Sequence, residues 1–90
     1  MRPVCDLQEI RADVKSNPRL AEHLAREHRQ LYPSSPDADE RDAFLVASVF
    51  NQRRFDRAHV EASNYLRQHP NGRFADYVKK LVGMRDDPGP

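Results

Sequence analysis

Two stretches of this 90-residue chain repeat one another at an offset of 37 residues. Small residues recur at matching places in each stretch, and each stretch then continues with a proline and a new helix start. The matching pairs are Ala21 and Ala58, Ala25 and Ala62, Pro33 and Pro70, Ala38 and Ala75, and Asp39 and Asp76, together with the looser pairs His28 and Tyr65, and Phe44 and Leu81. A repeat of this length is typical of stacked helical hairpins, which bury their apolar faces against one another. The alanines indicate close helix crossings, where larger side chains do not fit.

The spacing of apolar residues predicts two helices in the first third of the chain. Val4, Leu7, Ile10 and Val14 follow one another at intervals of three, three and four residues, which places them on one side of a helix that ends near Ser16. A second helix is predicted from Pro18 to Tyr32. Asn17 is a suitable N-cap for it, and proline is favoured at the first helical position because its missing N–H would be unpaired there.

The window from Ala43 to Phe50 is the most apolar part of the chain and predicts a central helix. A helix that is apolar nearly all round is normally buried between neighbours. Ser35-Pro36-Asp37 repeats the pattern of a cap followed by a proline, which predicts the start of this third helix. We expect it to end near Asn51 and Gln52, with Asn51 accepting the left-handed conformation of a helix stop.

Two further helices complete the predicted fold. The fourth begins at Phe55 and is ended by Pro70-Asn71-Gly72; the fifth carries Phe74, Val78, Leu81 and Val82 on one side and is closed by Gly83. The sequence therefore predicts an all-α domain over residues 1–85, followed by a flexible tail at 86–90. About five antiparallel helices would form two stacked hairpins and a capping helix.

The second half of the chain resembles a tetratricopeptide repeat. In that family an aromatic residue follows the turn between the two helices, an alanine comes three residues later, and a proline closes the second helix; Phe55, Ala58 and Pro70 match these places. The Pro70-Asn71-Gly72 turn followed by Phe74 and Ala75 is similar to repeats of bacterial outer-membrane-assembly lipoproteins. The chain departs from the motif at Arg53, where glycine is usual, and at Val46, where a small residue is usual.

The resemblance implies a function in binding. The first helices of such hairpins line a concave surface that holds a protein or peptide, in a scaffold or adaptor that could belong to a bacterial envelope assembly. Carried onto this sequence, the usual partner-binding positions are Glu40, Ala43, Ala47 and Asn51, with Arg54 at the rim.

Composition argues against several other classes of protein. Lys and Arg number 15 and Asp and Glu number 14, a net charge of +1, whereas nucleic-acid binding needs clustered and uncompensated basic residues. No apolar run reaches the roughly 20 residues of a membrane span. The start of the sequence has no apolar segment of a secretory signal, which predicts a cytoplasmic protein unless a leader has been removed, in which case an envelope location is expected. The single cysteine, Cys5, excludes an internal disulfide and is expected to be a small buried or half-buried thiol.

The histidines do not form a recognisable metal or catalytic motif. His23, Glu27 and His28 occur in one helix, but the two histidines are five residues apart and diverge by about 140° around it, so they do not share a face. We interpret His28 as part of the apolar stripe and His59 and His69 as surface or edge residues. No serine has the neighbouring base of an activated nucleophile. The sequence therefore predicts no catalytic site, no metal and no cofactor.

Two alternative functions remain open from the sequence. The chain could be a structural unit that self-associates or belongs to a longer helical array, and the stripes Val4-Leu7-Ile10 and Phe74-Val78-Leu81 are then the surfaces expected to mediate the contact. A small regulatory or DNA-binding helical domain is a lower alternative because of the balanced charge.

Overall fold

The computed structural model describes residues 7–83, and these residues form five α-helices. Their bounds are α1 Leu7–Ser16, α2 Pro18–Leu31, α3 Ala38–Asn51, α4 Phe55–Gln68 and α5 Ala75–Val82. The described residues contain no strand, which confirms the all-α prediction. The predicted start of the first helix at Val4, the thiol of Cys5 and the tail at 86–90 lie outside the described residues.

Helix ends agree with the capping residues at some places and differ at others. The side chain of Asn17 accepts a hydrogen bond from the backbone N–H of Leu20, as predicted for an N-cap, and Gly83 adopts the left-handed conformation (φ 79°) that ends α5. The left-handed residue after α3 is Arg53 (φ 61°), so the prediction for Asn51 is wrong: Asn51 is the last helical residue. Arg53 stands at the place where the tetratricopeptide motif has glycine, which takes this conformation at less cost.

The start of α3 also differs from the prediction. The helix begins at Ala38 rather than at Pro36, because the hydroxyl of Ser35 accepts from the backbone N–H of Asp37 and holds residues 35–37 in a turn. The side chain of Asp37, at the N-cap position, makes no capping hydrogen bond.

The 37-residue repeat is present in the backbone. Helices α2 and α4 each contain 14 residues and begin at equivalent places. Tyr32 (φ −135°, ψ 63°) and His69 (φ −131°, ψ 63°) end them with the same geometry, and each N–H is bonded 2.7 Å from the carbonyl oxygen of the residue four positions earlier. The turns that follow also repeat: Ser35 N–H donates to Tyr32 O at 3.1 Å, and Gly72 N–H donates to His69 O at 2.9 Å. The sequence repeat therefore corresponds to two copies of one helix–turn–helix unit.

The five helices pack in two layers around α3. Helix α3 contacts each of the other four helices. One layer consists of α1, α3 and α5, with α3 in the middle. Helices α2 and α4 form the second layer. Each helix also packs against the next one in the chain, which gives the hairpins α1–α2 and α3–α4 and the additional helix α5. The alanines of the repeat, Ala21, Ala25, Ala58 and Ala62, have no exposed surface. Their complete burial agrees with the prediction that the helices cross there.

The core has two parts that meet at α3. One joins α1, α2, α3 and the start of α4 around Ile10, Leu24, Leu45 and Val49. The other joins α3, α4 and α5 around Val46, Tyr65 and Val78. Because α3 contributes to both, its nearly complete apolarity is explained by neighbours on several sides, as predicted.

Candidate partner-binding surface

Helices α1, α3 and α5 present three large apolar side chains at equivalent repeat positions. Leu7, Phe44 and Leu81 are each 37 residues apart, and each is half-buried, with one side packed on the core. We call this side of the molecule the three-helix face. Because α3 lies between α1 and α5, the three side chains form a row that crosses the helices. Rows of partly exposed apolar residues on stacked helices are a common form of protein-binding surface.

Aromatic rings extend this row toward α5. The ring centroid of Phe44 lies 6.3 Å from that of Phe74, and Phe74 lies 6.5 Å from Tyr77, which it meets edge to face. The guanidinium of Arg11 stands 5.7 Å from the Phe44 centroid, and that of Arg73 stands 5.5 Å from the Phe74 centroid. The three-helix face thus combines aromatic surface with two cations that contact it.

The five residues predicted to bind a partner do not form one exposed strip. Ala43 and Ala47 are buried by helices of the chain itself, so they support the face from beneath and present no surface to a partner. Glu40 is half-buried and pairs with Arg11 of α1. Asn51 is exposed, but its amide nitrogen donates to Val14 O at 2.9 Å. Arg54 is exposed and lies 2.9 Å from a carboxylate oxygen of Glu22.

Sequence reasoning did not select Phe44 for this face. Phe44 lies on α3 between Glu40 and Ala47. Its side chain is half-exposed, whereas that of the preceding residue, Ala43, is buried. The available signal was the repeat itself, since Leu7, Phe44 and Leu81 recur at one position with a large apolar side chain. The repeat pairs predicted from the sequence include Phe44 and Leu81 but not Leu7.

A buried polar network joins the two halves of the molecule through α3. Arg41 and Asp42 are only 2% and 4% exposed, and their side chains form two hydrogen bonds of 2.9 and 3.3 Å. Arg41 also donates to Tyr32 O at 2.9 Å and lies 3.4 Å from Nδ1 of His28. On the other side, Nε2 of His69 lies 2.9 Å from Asp42. The network connects the end of α2, the start of α3 and the end of α4.

The histidines in this network differ from their predicted environment. His28 is more deeply buried than expected for a stripe residue, and burial followed by the charge of Arg41 lowers its pKa, although Asp37 and Asp42 act in the opposite direction. His69 is half-buried and bonded, while His59 is exposed as predicted. Neutral His28 can accept a hydrogen bond from Arg41, whereas protonated His28 would present an N–H and a second positive charge.

This environment predicts a pH dependence of stability. The folded-state pKa of His28 is below the ordinary value of 6.5, so in the interval between the two the unfolded chain binds more protons than the folded one. The contribution of His28 is therefore complete above pH 6.5 and is lost as the pH falls toward the folded-state pKa. Urea denaturation at a series of pH values from neutral to acidic should show a decrease in unfolding free energy that is smaller in His28→Gln. An equal decrease in His28→Gln and in the wild type would contradict the assignment, and His59→Gln serves as the exposed control.

A second polar network joins α2 and α4 on the other side of the molecule. Glu22 accepts hydrogen bonds from Gln52 at 2.7 Å, Arg26 at 2.8 Å and Arg54 at 2.9 Å. Arg26 also reaches the buried carboxylate of Glu61 at 3.1 Å. Burial alone would raise the pKa of Glu22, but the hydrogen bonds from Gln52 and Arg26 and the nearby positive charges outweigh it, and the pKa is lowered. These side chains link α2 to the turn before α4 and, through Glu61, to α4 itself.

A surface pocket of about 460 Å³ lies at the turn between α2 and α3, lined by His28 and residues 32–37. The corresponding turn between α4 and α5 is held differently: the hydroxyl of Tyr65 donates to Asp39, and the same carboxylate accepts from the backbone N–H of Arg73 at 2.8 Å. Burial, then the hydrogen bond and charge of Asp39, raise the pKa of Tyr65. Asp39, in the first turn of α3, thus stabilises the turn between α4 and α5.

The histidines and carboxylates of residues 7–83 are not gathered into a metal centre. In this range no three or more His, Cys, Asp or Glu side chains are grouped as metal ligands are. His23 lies 4.0 Å from Glu27, whereas His28 turns into the core toward Arg41. Every buried side-chain nitrogen and oxygen in the described part of the chain has a hydrogen-bond partner. The absence of a catalytic or metal site stays a prediction.

None of the helices described for this chain has the length and apolarity needed to cross a membrane.

Comparison of the chain with protein-family models, with curated proteins and with solved structures found no match. The likeness to tetratricopeptide repeats therefore rests on the sequence motif of Phe55, Ala58 and Pro70.

Proposed function

We propose that this protein is a non-catalytic interaction module of the tetratricopeptide type that binds an extended protein segment across its three-helix face. The observation that carries the proposal is the row Leu7, Phe44 and Leu81, which places an apolar side chain at the same position of three adjacent helices. Tyr77 is exposed beside it, at the repeat position of Glu40. A scaffold or adaptor role follows from such a surface; membership of a bacterial envelope assembly stays a prediction.

The geometry of the row suggests what the bound segment looks like. Packed helices stand about 8–10 Å apart, so successive side chains of the row are separated by roughly that distance. An extended segment in the polyproline II conformation advances about 3.1 Å per residue with three residues per turn, so every third residue faces the same side and would meet the next helix. The aromatic rings and the guanidinium groups of Arg11 and Arg73 favour apolar residues at those positions and carbonyl or carboxylate groups between them.

Selection from a library of linear peptides, with the wild-type chain immobilised, tests the proposal. We expect enriched peptides to carry apolar residues at intervals of three. Tyr77→Asp and Phe44→Ser should each weaken their binding by about tenfold or more, which corresponds to about 1.4 kcal/mol. Binding can be measured by fluorescence anisotropy.

Val60→Asp is the matched control, because Val60 is 48% exposed and lies on α4, away from the three-helix face. Circular dichroism should show that all three variants retain their helices. Peptides that bind Tyr77→Asp and Phe44→Ser as tightly as the wild type would refute the proposed site.

A further inference from the structure

The repeat identifies a helix face on α2 whose counterpart on α4 makes side-chain contacts with a neighbouring helix. Four residues share one side of α4: Arg57, Glu61, Asn64 and Gln68. Glu61 bonds to Arg26 of α2, and Asn64 and Gln68 line a small gap together with Arg29 of α2. The four residues of α2 that lie 37 positions earlier in the sequence occupy the equivalent side of α2. That side of α2 is turned away from α4.

On α2 these four positions are Leu20, Leu24, Glu27 and Leu31. Their spacing of four, three and four residues places them in one stripe along the helix. Three of the four polar positions of α4 are thus occupied by leucine in α2, and the fourth is occupied by Glu27. Leu24 is buried against α1, but Leu20 and Leu31 are 37% and 53% exposed. We call this set the α2 stripe.

The surfaces that the sequence suggested for self-association are occupied differently. Ile10 of the first stripe and Val78 of the second have no exposed surface, and Leu7, Phe74 and Leu81 are half-buried. The side chain of Val4 lies outside the described residues. The leucine stripe of α2 is therefore more exposed than the apolar stripes described for α1 and α5. In the second copy of the repeat, the equivalent side of α4 contacts a neighbouring helix.

We propose that the α2 stripe binds the α2 stripe of a second copy of this chain, with the two helices antiparallel about a two-fold axis. This arrangement places Leu20 opposite the partner's Leu31, and Leu31 opposite the partner's Leu20, so both exposed leucines are covered by an equivalent residue. A two-fold contact of this kind requires one self-complementary surface.

The charges along the stripe fit the same arrangement. His23 and Glu27 are both exposed, with side-chain exposures of 71% and 39%, and within one chain they are separated by 4.0 Å. In the antiparallel pair, Glu27 comes beside the partner's His23, and His23 comes beside the partner's Glu27. The two-fold axis thus places each Glu27 carboxylate beside an imidazole of the second copy, at the edge of the leucine contact.

The size of the contact sets its strength. Helix α2 has 14 residues. At 1.5 Å per residue a helix of this length offers a contact about 21 Å long, which places the interface at the small end of specific complexes, below about 1,200 Å². The dimer is therefore weak, with a dissociation constant in about the micromolar range, and depends on protein concentration.

Sedimentation velocity over about 5 to 500 µM tests the proposal, since a weak dimer must form within such a range. The wild-type chain should change from monomer to dimer, and Leu20→Glu combined with Leu31→Glu should remain monomeric throughout. Val60→Glu introduces one glutamate at a similarly exposed position of α4 and should dimerise as the wild type does. Both leucines are partly exposed, so circular dichroism should show unchanged helix content in every variant.

Charge exchange tests the pairing of Glu27. Glu27→Lys should weaken the dimer because it removes the carboxylate that lies beside the partner's His23, and adding His23→Glu should restore a carboxylate–cation pair. A strictly monomeric wild-type chain would overturn the proposal, as would a dimer that survives both leucine substitutions or that Val60→Glu also dissociates. The proposal does not depend on the three-helix face, since peptide binding there is measured separately.

Discussion

Asp42→Ala is expected to be strongly destabilising, lowering the free energy of unfolding by about 3–5 kcal/mol. The substitution leaves the guanidinium of Arg41 buried, at 2% exposure, without its carboxylate partner. It also removes the acceptor that lies 2.9 Å from Nε2 of His69. Domains of this size have a total stability of about 5–15 kcal/mol, so a large part of the molecule's stability would be lost. Equilibrium unfolding in urea measures the change.

A double substitution distinguishes an unpaired charge from a lost contact. When Arg41→Met is combined with Asp42→Ala, no charge remains in the core at this place, so the double variant should be more stable than Asp42→Ala alone. The carbonyl of Tyr32 loses Arg41 as a donor but keeps the N–H of Ser35 at 3.1 Å. Asp56→Ala, at an exposed position of α4, is the control and should change stability by less than about 0.5 kcal/mol. Additive losses in the double variant would contradict this account.

The helices and their repeat could be predicted from the sequence because their signals are local. Asn17 and Pro18 define a helix start by their own conformational preferences, and Gly83 defines a stop in the same way. Apolar spacing at three and four residues gives the buried side of each helix directly. The alanines of the repeat indicated where helices cross, and their complete burial agrees with that prediction.

The buried network could not be predicted because it depends on which helices meet. Arg41 and Asp42 are adjacent charged residues near the start of a helix, a pattern that normally indicates a solvated first turn. They are buried because the end of α2 brings His28 and Tyr32 O to one side, and the end of α4 brings His69 to the other. These contacts join residues distant in sequence and leave no local pattern.

The predicted binding strip was incomplete for a related reason. Glu40, Ala47 and Asn51 lie on one side of α3, and Phe44 lies next to them on the same helix. The depth of each side chain depends on how closely α1 and α5 approach, and this places Ala43 and Ala47 beneath the surface while leaving Phe44 half-exposed. The residues that share one repeat position on α1, α3 and α5 indicate the three-helix face better than the binding positions of a single helix do.

Gly72→Ala is expected to lower the free energy of unfolding by about 1–3 kcal/mol through a clash rather than through backbone strain. A Cβ atom at Gly72 would lie 2.5 Å from the hydroxyl oxygen of Tyr65, and 2.8 and 3.0 Å from the carboxylate oxygens of Asp39. Tyr65 is buried and cannot easily turn away, and its hydroxyl also accepts from the backbone N–H of Phe74 at 3.2 Å. The added methyl group must therefore disturb the contacts that hold the turn between α4 and α5.

The equivalent residue of the first turn shows why glycine is needed only in the second. Ser35 has a side chain at this position, but the residue facing it in the repeat is His28, which has no hydroxyl group to clash with a Cβ atom. The Tyr65 hydroxyl is the nearest atom that a Cβ at Gly72 would meet, so Gly72→Ala should cost less in a Tyr65→Phe background than in the wild type. Urea unfolding of the four proteins in this cycle gives the coupling energy directly. Asn71→Ala, at the exposed neighbouring position, should be nearly neutral, and a coupling energy of zero would show that the clash with Tyr65 is not what Gly72 avoids.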